Sequence, residues 1–387
     1  MSRNATKDLT TGSPMKLILG FGIPLLFGML FQQFYNMMDT IIVGKFLGVS
    51  ALASVGATGS INFMIIGFCM GVCNGFAIPV AQRFGAKDEH GMRKFVANSV
   101  WLSIIFAVVM AVLVCVFCRQ ILELMNTPED IIDGSYSYIF VIFLGIPATY
   151  MYNLLSGIMR SLGDSKTPLY LLIFSSILNI ILDLLSIIVL KMGVAGAAWA
   201  TVIAQAVSGF CCLGVIWKKF PILHVQREEW QPDKLCILNL CNMGIPMGLQ
   251  YSITAIGTMM VQSSLNILGS YAVAAFTAGN KIENIFTQAF VAIGTTISTY
   301  NAQNIGARKL DRVRQGFRAT DVIGCAYAVI AGFILFFAGK YFSYLFISDN
   351  ADVVIPMVDT YLRCVGMFLV PLYVVNCYRN GFQGMGY

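Results

Sequence analysis

Gly22-Ile23-Pro24 opens one apolar stretch, and Gly244-Ile245-Pro246 opens another 222 residues later (244 − 22). Further along, Gln82-Arg83-Phe84-Gly85-Ala86-Lys87 returns as Gln303-Asn304-Ile305-Gly306-Ala307-Arg308 at an offset of 221. The frame slips by one residue near Leu47-Gly48 and Leu268-Gly269, where a short loop absorbs it. A self-similar period this long in an apolar chain predicts two stacked copies of one membrane bundle, an architecture typical of transporters.

Composition sets the class. Hydrophobic residues make up 57% of the chain and charged residues 11%, against about 25% charged in a soluble domain. Apolar runs long enough to cross a bilayer fall at 15–38, 52–80, 95–118, 133–157, 167–190, 194–217, 236–262, 272–300, 316–339 and 355–380. Each crossing needs roughly 20 residues. No period-2 alternation is present, so the expected fold is an all-α integral membrane bundle rather than a barrel. The first fourteen residues are polar and precede a long span, so no cleavable signal peptide is expected.

Basic residues predict the orientation. With the N-terminus in the cytoplasm, 19 of the 25 Lys and Arg fall on the cytoplasmic side. The opposite side holds Lys45, Arg119, Lys191 and Lys340, while Lys281 and Arg363 fall inside spans. That bias predicts a multi-pass cell-membrane protein with a cytoplasmic N-terminus, and it explains the net charge of +6 without nucleic-acid binding. Six spans separate the two copies, so they insert as parallel repeats. The expected organisation is an N-lobe over 1–217, a charged cytoplasmic linker over 218–235 and a C-lobe over 236–387. Gly145-Ile146-Pro147 and Ser156-Gly157 have loose counterparts in Leu369-Val370-Pro371 and Asn380-Gly381. Counterparts of residues after Gly163 would fall beyond Tyr387, so the second copy is expected to lack two spans through truncation.

Most of the 11 cysteines lie within apolar spans. Cys115-Val116-Phe117-Cys118 has a metal-like spacing, but no second pair or histidine accompanies it. His90 and His224 fall in expected cytoplasmic loops with no nucleophile–base pattern around them, so no enzyme chemistry, metal site or cofactor is expected.

Ionisable residues inside spans carry the functional signal, because a mid-bilayer carboxylate costs about 2.5–3.5 kcal/mol on insertion scales. Gln32, Tyr35, Asn36 and Asp39 recur at i, i+3, i+4 and i+7 and form one polar stripe on a helix face. Asn179 and Asp183 are i, i+4 neighbours in mid-span. Asp39 reads either as a bundle-facing acid or as an interfacial one. Asp183 reads either as functional or as a structural acid bonded to Asn179. Gly67, Gly71 and Gly75 form a stripe suited to close helix packing. Tyr136, Tyr138, Tyr150 and Tyr152 bracket the fourth span and read either as an interfacial belt or, for some of them, as cavity-lining residues, and Ser165 or Thr167 is the expected cap of the fifth.

With these residues in view, the chain resembles the MATE (multidrug and toxic compound extrusion) family, most like its DinF/MepA-type branch. The resemblance rests on Gly22-Ile23-Pro24, the turn Arg160-Ser161-Leu162-Gly163-Asp164-Ser165-Lys166-Thr167-Pro168, Asn179 to Asp183, and Gly196-Ala197-Ala198-Trp199-Ala200-Thr201. It runs over essentially the whole chain. It implies a fold of twelve helices in two six-helix lobes, about ten of them present here. It also implies export of organic compounds against H+ or Na+ influx. By that resemblance Asp39, Asn179, Asp183 and Thr201 form a cation-coupling site in the N-lobe, and Pro24 marks where the first helix can bend. Two carboxylates close together in a low dielectric cannot both ionise cheaply, so such a pair can hold a proton. The same oxygens suit Na+ equally well.

The C-lobe departs from one version of the family, because residues 236–271 contain no Asp or Glu. Its eighth span carries Lys281 and Glu283 instead, with Asn280, Asn284 and Gln288 on one face. Gln32, Tyr35, Asn36, Lys281, Glu283, Asn284 and Gln288 are therefore the candidate substrate-cavity residues. The expected function is secondary active efflux of amphipathic or cationic organic compounds by a monomer in a bacterial membrane. A lipid-linked glycan flippase and a non-transporting scaffold are the alternatives.

Overall fold

The computed structural model describes residues 6–125, 127–344 and 351–387, apart from the side chains of Val49, Asn266, Ser270 and Ala351. Arg3, one of the basic residues assigned to the cytoplasmic side, lies outside them. Among the described residues the chain is helical, with no strand. The helices are α1 (Pro14–Leu47), α2 (Val49–Ala57), α3 (Gly59–Gly85), α4 (Glu89–Val116), α5 (Cys118–Leu124), α6 (Ile132–Leu144), α7 (Ile146–Ser161), α8 (Lys166–Leu184), α9 (Gly193–Lys219), α10 (Lys234–Ile267), α11 (Ser270–Gly306), α12 (Leu310–Ser343) and α13 (Ala351–Met385).

Every apolar run picked out in the sequence falls on helix. Among the described residues seven helices are long and apolar enough to cross a membrane, and the bent pair α6–α7 makes up to eight. α10 and α11, at 34 and 37 residues, are long enough but carry more polar side chains. The outer face of α4 shows why this fold needs lipid: Ile104, Ile105, Val108, Val109 and Val112 are each at least half exposed. Such a surface is stable against hydrocarbon and not against water. The chain is a multi-pass membrane protein.

The fourth expected span is broken rather than straight. α6 and α7 meet at Gly145 with a bend of 46°. Pro147 stands in the first turn of α7, where it has no N–H to offer the preceding turn and its ring crowds that turn's carbonyl. α9 also presses on the break, since a Cβ on Gly145 would lie 2.3 Å from Val202 Cγ2.

The chain divides into two compact units. The first comprises Phe31–Ala255 with the short segment ending at Asp8, and the second comprises Leu9–Leu30 with Ile256–Tyr387. Relative to a simple linear division, the beginning of α1 belongs to the second unit and the beginning of α10 to the first. Each unit has its own apolar core, one built around Phe76, Phe143, Tyr150 and Met159, the other around Phe290, Tyr300, Leu335 and Tyr373.

The repeat is visible at atomic detail. In the first copy, Lys87 N–H bonds Phe84 O at 3.0 Å and Asp88 N–H bonds Arg83 O at 3.0 Å; in the second, Arg308 N–H bonds Ile305 O at 2.9 Å and Lys309 N–H bonds Asn304 O at 2.8 Å. Lys87 and Arg308 both take a positive φ, 59° and 57°. The helix α3 and its counterpart α11 therefore end in the same left-handed closure. The Gly-Ile-Pro motifs are equivalent too. Within the first unit, a Cβ on Gly75 would lie 2.6 Å from the Cα of Gly244, and one on Gly71 would lie 2.5 Å from Met247 O. Within the second, a Cβ on Gly22 would lie 3.1 Å from Thr296 Oγ1. Gly22 corresponds to Gly244, and Thr296 to Gly75, at the repeat offsets. The glycine stripe on α3 is thus a packing surface, as its spacing suggested.

The segment 218–235 is folded onto the first unit. Phe220 and Leu223 are buried. Glu229, whose side chain is fully covered, caps a single turn by accepting from Gln226 N–H at 2.8 Å, and both its oxygens accept from Arg93 Nε at 2.9 Å. His90 Nδ1 lies 2.9 Å from the same carboxylate. Burial alone would raise the Glu229 carboxyl, but the Gln226 N–H, Arg93 and His90 together hold it below its ordinary value. Lys94 pairs with Asp233 at 3.2 Å, and Trp101 Nε1 donates to Trp230 O at 3.1 Å. One expected cap is corrected. Neither Ser165 nor Thr167 caps α8 with its side chain. Asp164 Oδ1 accepts from Lys166 N–H and Thr167 N–H, each at 3.0 Å, because a carboxylate serves the positive end of a helix better than a hydroxyl does.

Candidate functional site

In the first unit, α1, α6, α8 and α9 bring one polar cluster together in an apolar surround. Asp39 comes from α1, Tyr138 from α6, Asn179 and Asp183 from α8, and Thr201 from α9. Asp183 is fully buried, Asn179 is 1% exposed and Asp39 9% exposed. Asp39 and Asp183 are neighbours, near enough for each carboxyl group to act on the other. Tyr35 O–H donates to Thr201 Oγ1 at 3.3 Å, and Asn179 Nδ2 donates to the same oxygen at 3.3 Å. All four residues of the expected cation-coupling site are thus in one place, and Tyr35 of the α1 stripe joins them.

Local structure explains the placement. The i, i+4 spacing sets Asn179 and Asp183 on one face of α8. Directly after Asp183, α8 widens into a π turn over Leu185–Val189, closed by Leu190 N–H to Leu185 O at 3.0 Å. π turns of this kind are frequent at functional positions. Ser186 Oγ bonds Asp183 O at 3.2 Å, and Gly196 of α9 leaves room for Ser186, whose Oγ would stand 3.1 Å from any Cβ there. The small residues of the Gly196-to-Thr201 segment thus let α9 approach close enough to present Thr201.

The cluster is rich in acceptors and poor in donors. Asp39 Oδ1, Asn179 Oδ1 and both carboxylate oxygens of Asp183 are buried with no hydrogen-bond partner among the described residues. An uncompensated buried acceptor is costly, typically about 1–3 kcal/mol and more for a charged group. A set of this kind suits a proton shared between the carboxyls, or a hard cation that prefers oxygen ligands. Among the described residues no group of three or more His, Cys, Asp or Glu that would hold a transition metal is found.

The remaining expected site residues are on α1 and α11. Gln32 is half-buried and Asn36 exposed on α1. Pro24 lies in the part of α1 that belongs to the second unit, and α1 continues through it as helix. Lys281, Glu283, Asn284 and Gln288 belong to the second unit. Lys281 is exposed there. Glu283 accepts from the hydroxyl of Tyr361, and Asn284 Nδ2 donates to Asn280 Oδ1 at 2.6 Å. Three residues lie deeper than an interfacial or loop reading places them. Tyr138 is 6% exposed and faces Asp39 and Asp183, and Tyr150 is 1% exposed, so neither sits in an interfacial belt. Arg160 was read only as part of a turn, but its guanidinium points into the first unit. Helical phase within α6 and α7 sets how deeply each tyrosine is buried, but the break at Gly145 hides that phase from a straight-helix reading.

The fold and site define a helical membrane carrier built from a duplicated bundle, with an acidic site in one half. The MatE family model matches residues 24–185 and again 246–387, two passes that begin 222 residues apart, as the Gly-Ile-Pro motifs do. The chain belongs to the MATE family of transporters. It is 29% identical to the probable multidrug resistance protein YpnP of Bacillus subtilis over 97% of this chain and 83% of that protein. It is 32% identical to the probable multidrug resistance protein YoeA of the same organism, over 77% of this chain and 66% of that one. Among solved structures, a multidrug resistance MATE transporter of the MOP superfamily in an outward-facing conformation superposes with a TM-score of 0.90 at 25% identity, covering 98% of this chain and 84% of that one.

Proposed function

We propose that this protein exports amphipathic, often cationic, organic compounds across a bacterial cell membrane by antiport with H+ or Na+. The observation that carries this reading is the set of four buried acceptor oxygens on Asp39, Asn179 and Asp183 left without donors. A proton or Na+ entering that set relieves the repulsion between two carboxylates, and its departure restores it. Each inward elementary charge gains about 2.3 kcal/mol per 100 mV, which supplies the work for uphill export. Thr201, Asn179 and Tyr35 adjust their hydrogen bonds to either protonation state. Pro24 interrupts the hydrogen-bond ladder of α1 and makes a weak point at which that helix can flex when the site changes charge. Gln32, Asn36, Lys281, Glu283, Asn284 and Gln288 are the proposed cargo contacts.

The names of the similar B. subtilis proteins support the multidrug reading, and the basic bias of the sequence supports a cytoplasmic N-terminus. We take the protein to work as a monomer. Dye efflux from cells carrying wild type, Asp39→Asn, Asp183→Asn or the double variant tests the coupling role. Unchanged efflux by the double variant would overturn it.

A further inference from the structure

We propose that Arg160 forms an anion subsite inside the first unit, which takes the carboxylate group of a transported organic solute. The argument rests on the export reading only in treating that solute as cargo. Tyr152, Ser156 and Arg160 fall at i, i+4 and i+8 of α7 and so share one inward face. Arg160 Nη1 donates to Ser156 Oγ at 2.9 Å, and Nη2 donates to Asn74 Oδ1 of α3 at 3.3 Å. The other side chains around the guanidinium are Tyr152, Cys73, Tyr251 and Cys212, all neutral. No carboxylate lies within salt-bridge distance of it among the described residues. The nearest acid in sequence, Asp164, is committed to the first turn of α8.

An arginine near a helix C-terminus complements the helix dipole, and Arg160 is in the last turn of α7. A lysine or a solvent-facing arginine would do that equally well. The guanidinium instead turns into the bundle, where an unpaired charge is expensive. It retains partial exposure. Its Nε–H and one hydrogen on each terminal nitrogen remain free, a fork that matches a carboxylate in bidentate fashion. The neighbouring phenols of Tyr152 and Tyr251 suit an aromatic acid. The cation site at Asp183 and this anion site are distinct, since Arg160 bonds Ser156 and Asn74 and no member of the acidic cluster. One unit thus offers a place for each sign of charge.

The test uses a matched dye pair, a rhodamine with a free benzoate and its methyl ester, bound to the detergent-purified full chain and followed by fluorescence anisotropy. The ratio of acid to ester affinity is the readout, because it does not depend on the fraction of folded protein. Wild type should favour the acid, Arg160→Gln should lower the ratio about tenfold, and Arg160→Lys, which keeps the charge but loses the fork, should fall between the two. Equal affinity of wild type for acid and ester, or the same ratio in wild type and Arg160→Gln, would overturn the proposal. Neither outcome bears on Asp39 or Asp183, so its failure is distinguishable from failure of the coupling reading.

Discussion

In the first unit, two buried acids stand side by side without donors; in the second, among the described residues, Glu283 and Asp321 each have a tyrosine and Asp359 pairs with Arg363 at 2.8 Å. Glu283 accepts from the Tyr361 hydroxyl, and Asp321 Oδ2 accepts from the Tyr378 hydroxyl at 2.9 Å. Asp39 aligns with Val261 and Asn62 with Glu283 across the repeat, and Val261 is 49% exposed. A phenol gives a carboxylate a donor and fixes it in place, whereas a second carboxylate offers no donor and leaves room for a bound proton or cation. The duplication therefore copied a scaffold, down to the left-handed turns at Lys87 and Arg308. On the proposed reading, the ion chemistry was built into one copy.

Several substitutions can break or sharpen that contrast. The largest effect is expected at the acid pair: Asp39→Asn or Asp183→Asn should lower ion-driven dye efflux by about tenfold or more. Glu283→Gln in the second unit should change it by no more than about threefold. Efflux from intact cells, normalised to protein level, gives both numbers side by side.

Packing should be unequal in the same direction. Gly75→Ala pushes a methyl to 2.6 Å from the Gly244 backbone, which cannot yield, so a loss of about 2–3 kcal/mol is expected. The linker clamp comes next. Glu229→Gln should cost about 2 kcal/mol by weakening its bonds to Arg93, His90 and Gln226. Because folding lowers the Glu229 carboxyl from its ordinary value of 4.5, its contribution should be complete above about pH 4.5. It should be lost as pH falls further below that value. Thermal melts in detergent between neutral and acid pH check both the size and the sign. The smallest effect belongs to Gly22→Ala, where only the Thr296 hydroxyl stands in the way at 3.1 Å. Less than about 1 kcal/mol is expected. Equal losses at Gly75 and Gly22 would show that the copies pack alike, contrary to this account.

Much of this was legible in the chain because it is periodic. Helices, repeat, glycine stripe and the Asn179/Asp183 pair each follow from spacing along one helix. What escaped depends on contacts between distant segments. The bend at Gly145 needs Val202 from α9 as well as Pro147. The inward Tyr138 needs the positions of α1 and α8. The folded linker needs Arg93 and Asn98 of α4 to receive Glu229 and Asp233, and the exchange of the first parts of α1 and α10 has no local signal at all. Asp164 was open to reading, since Asp is a strong capping residue, but the neighbouring Ser165 and Thr167 competed for the same role.

The most direct test reconstitutes wild type and the Asp39→Asn/Asp183→Asn double variant in proteoliposomes. Dye movement is then followed while H+ and Na+ gradients are imposed separately. The account predicts that at least one of the two gradients drives uphill dye movement by wild type and that neither drives it in the double variant. Gradient-driven uphill movement that survives in the double variant would contradict it.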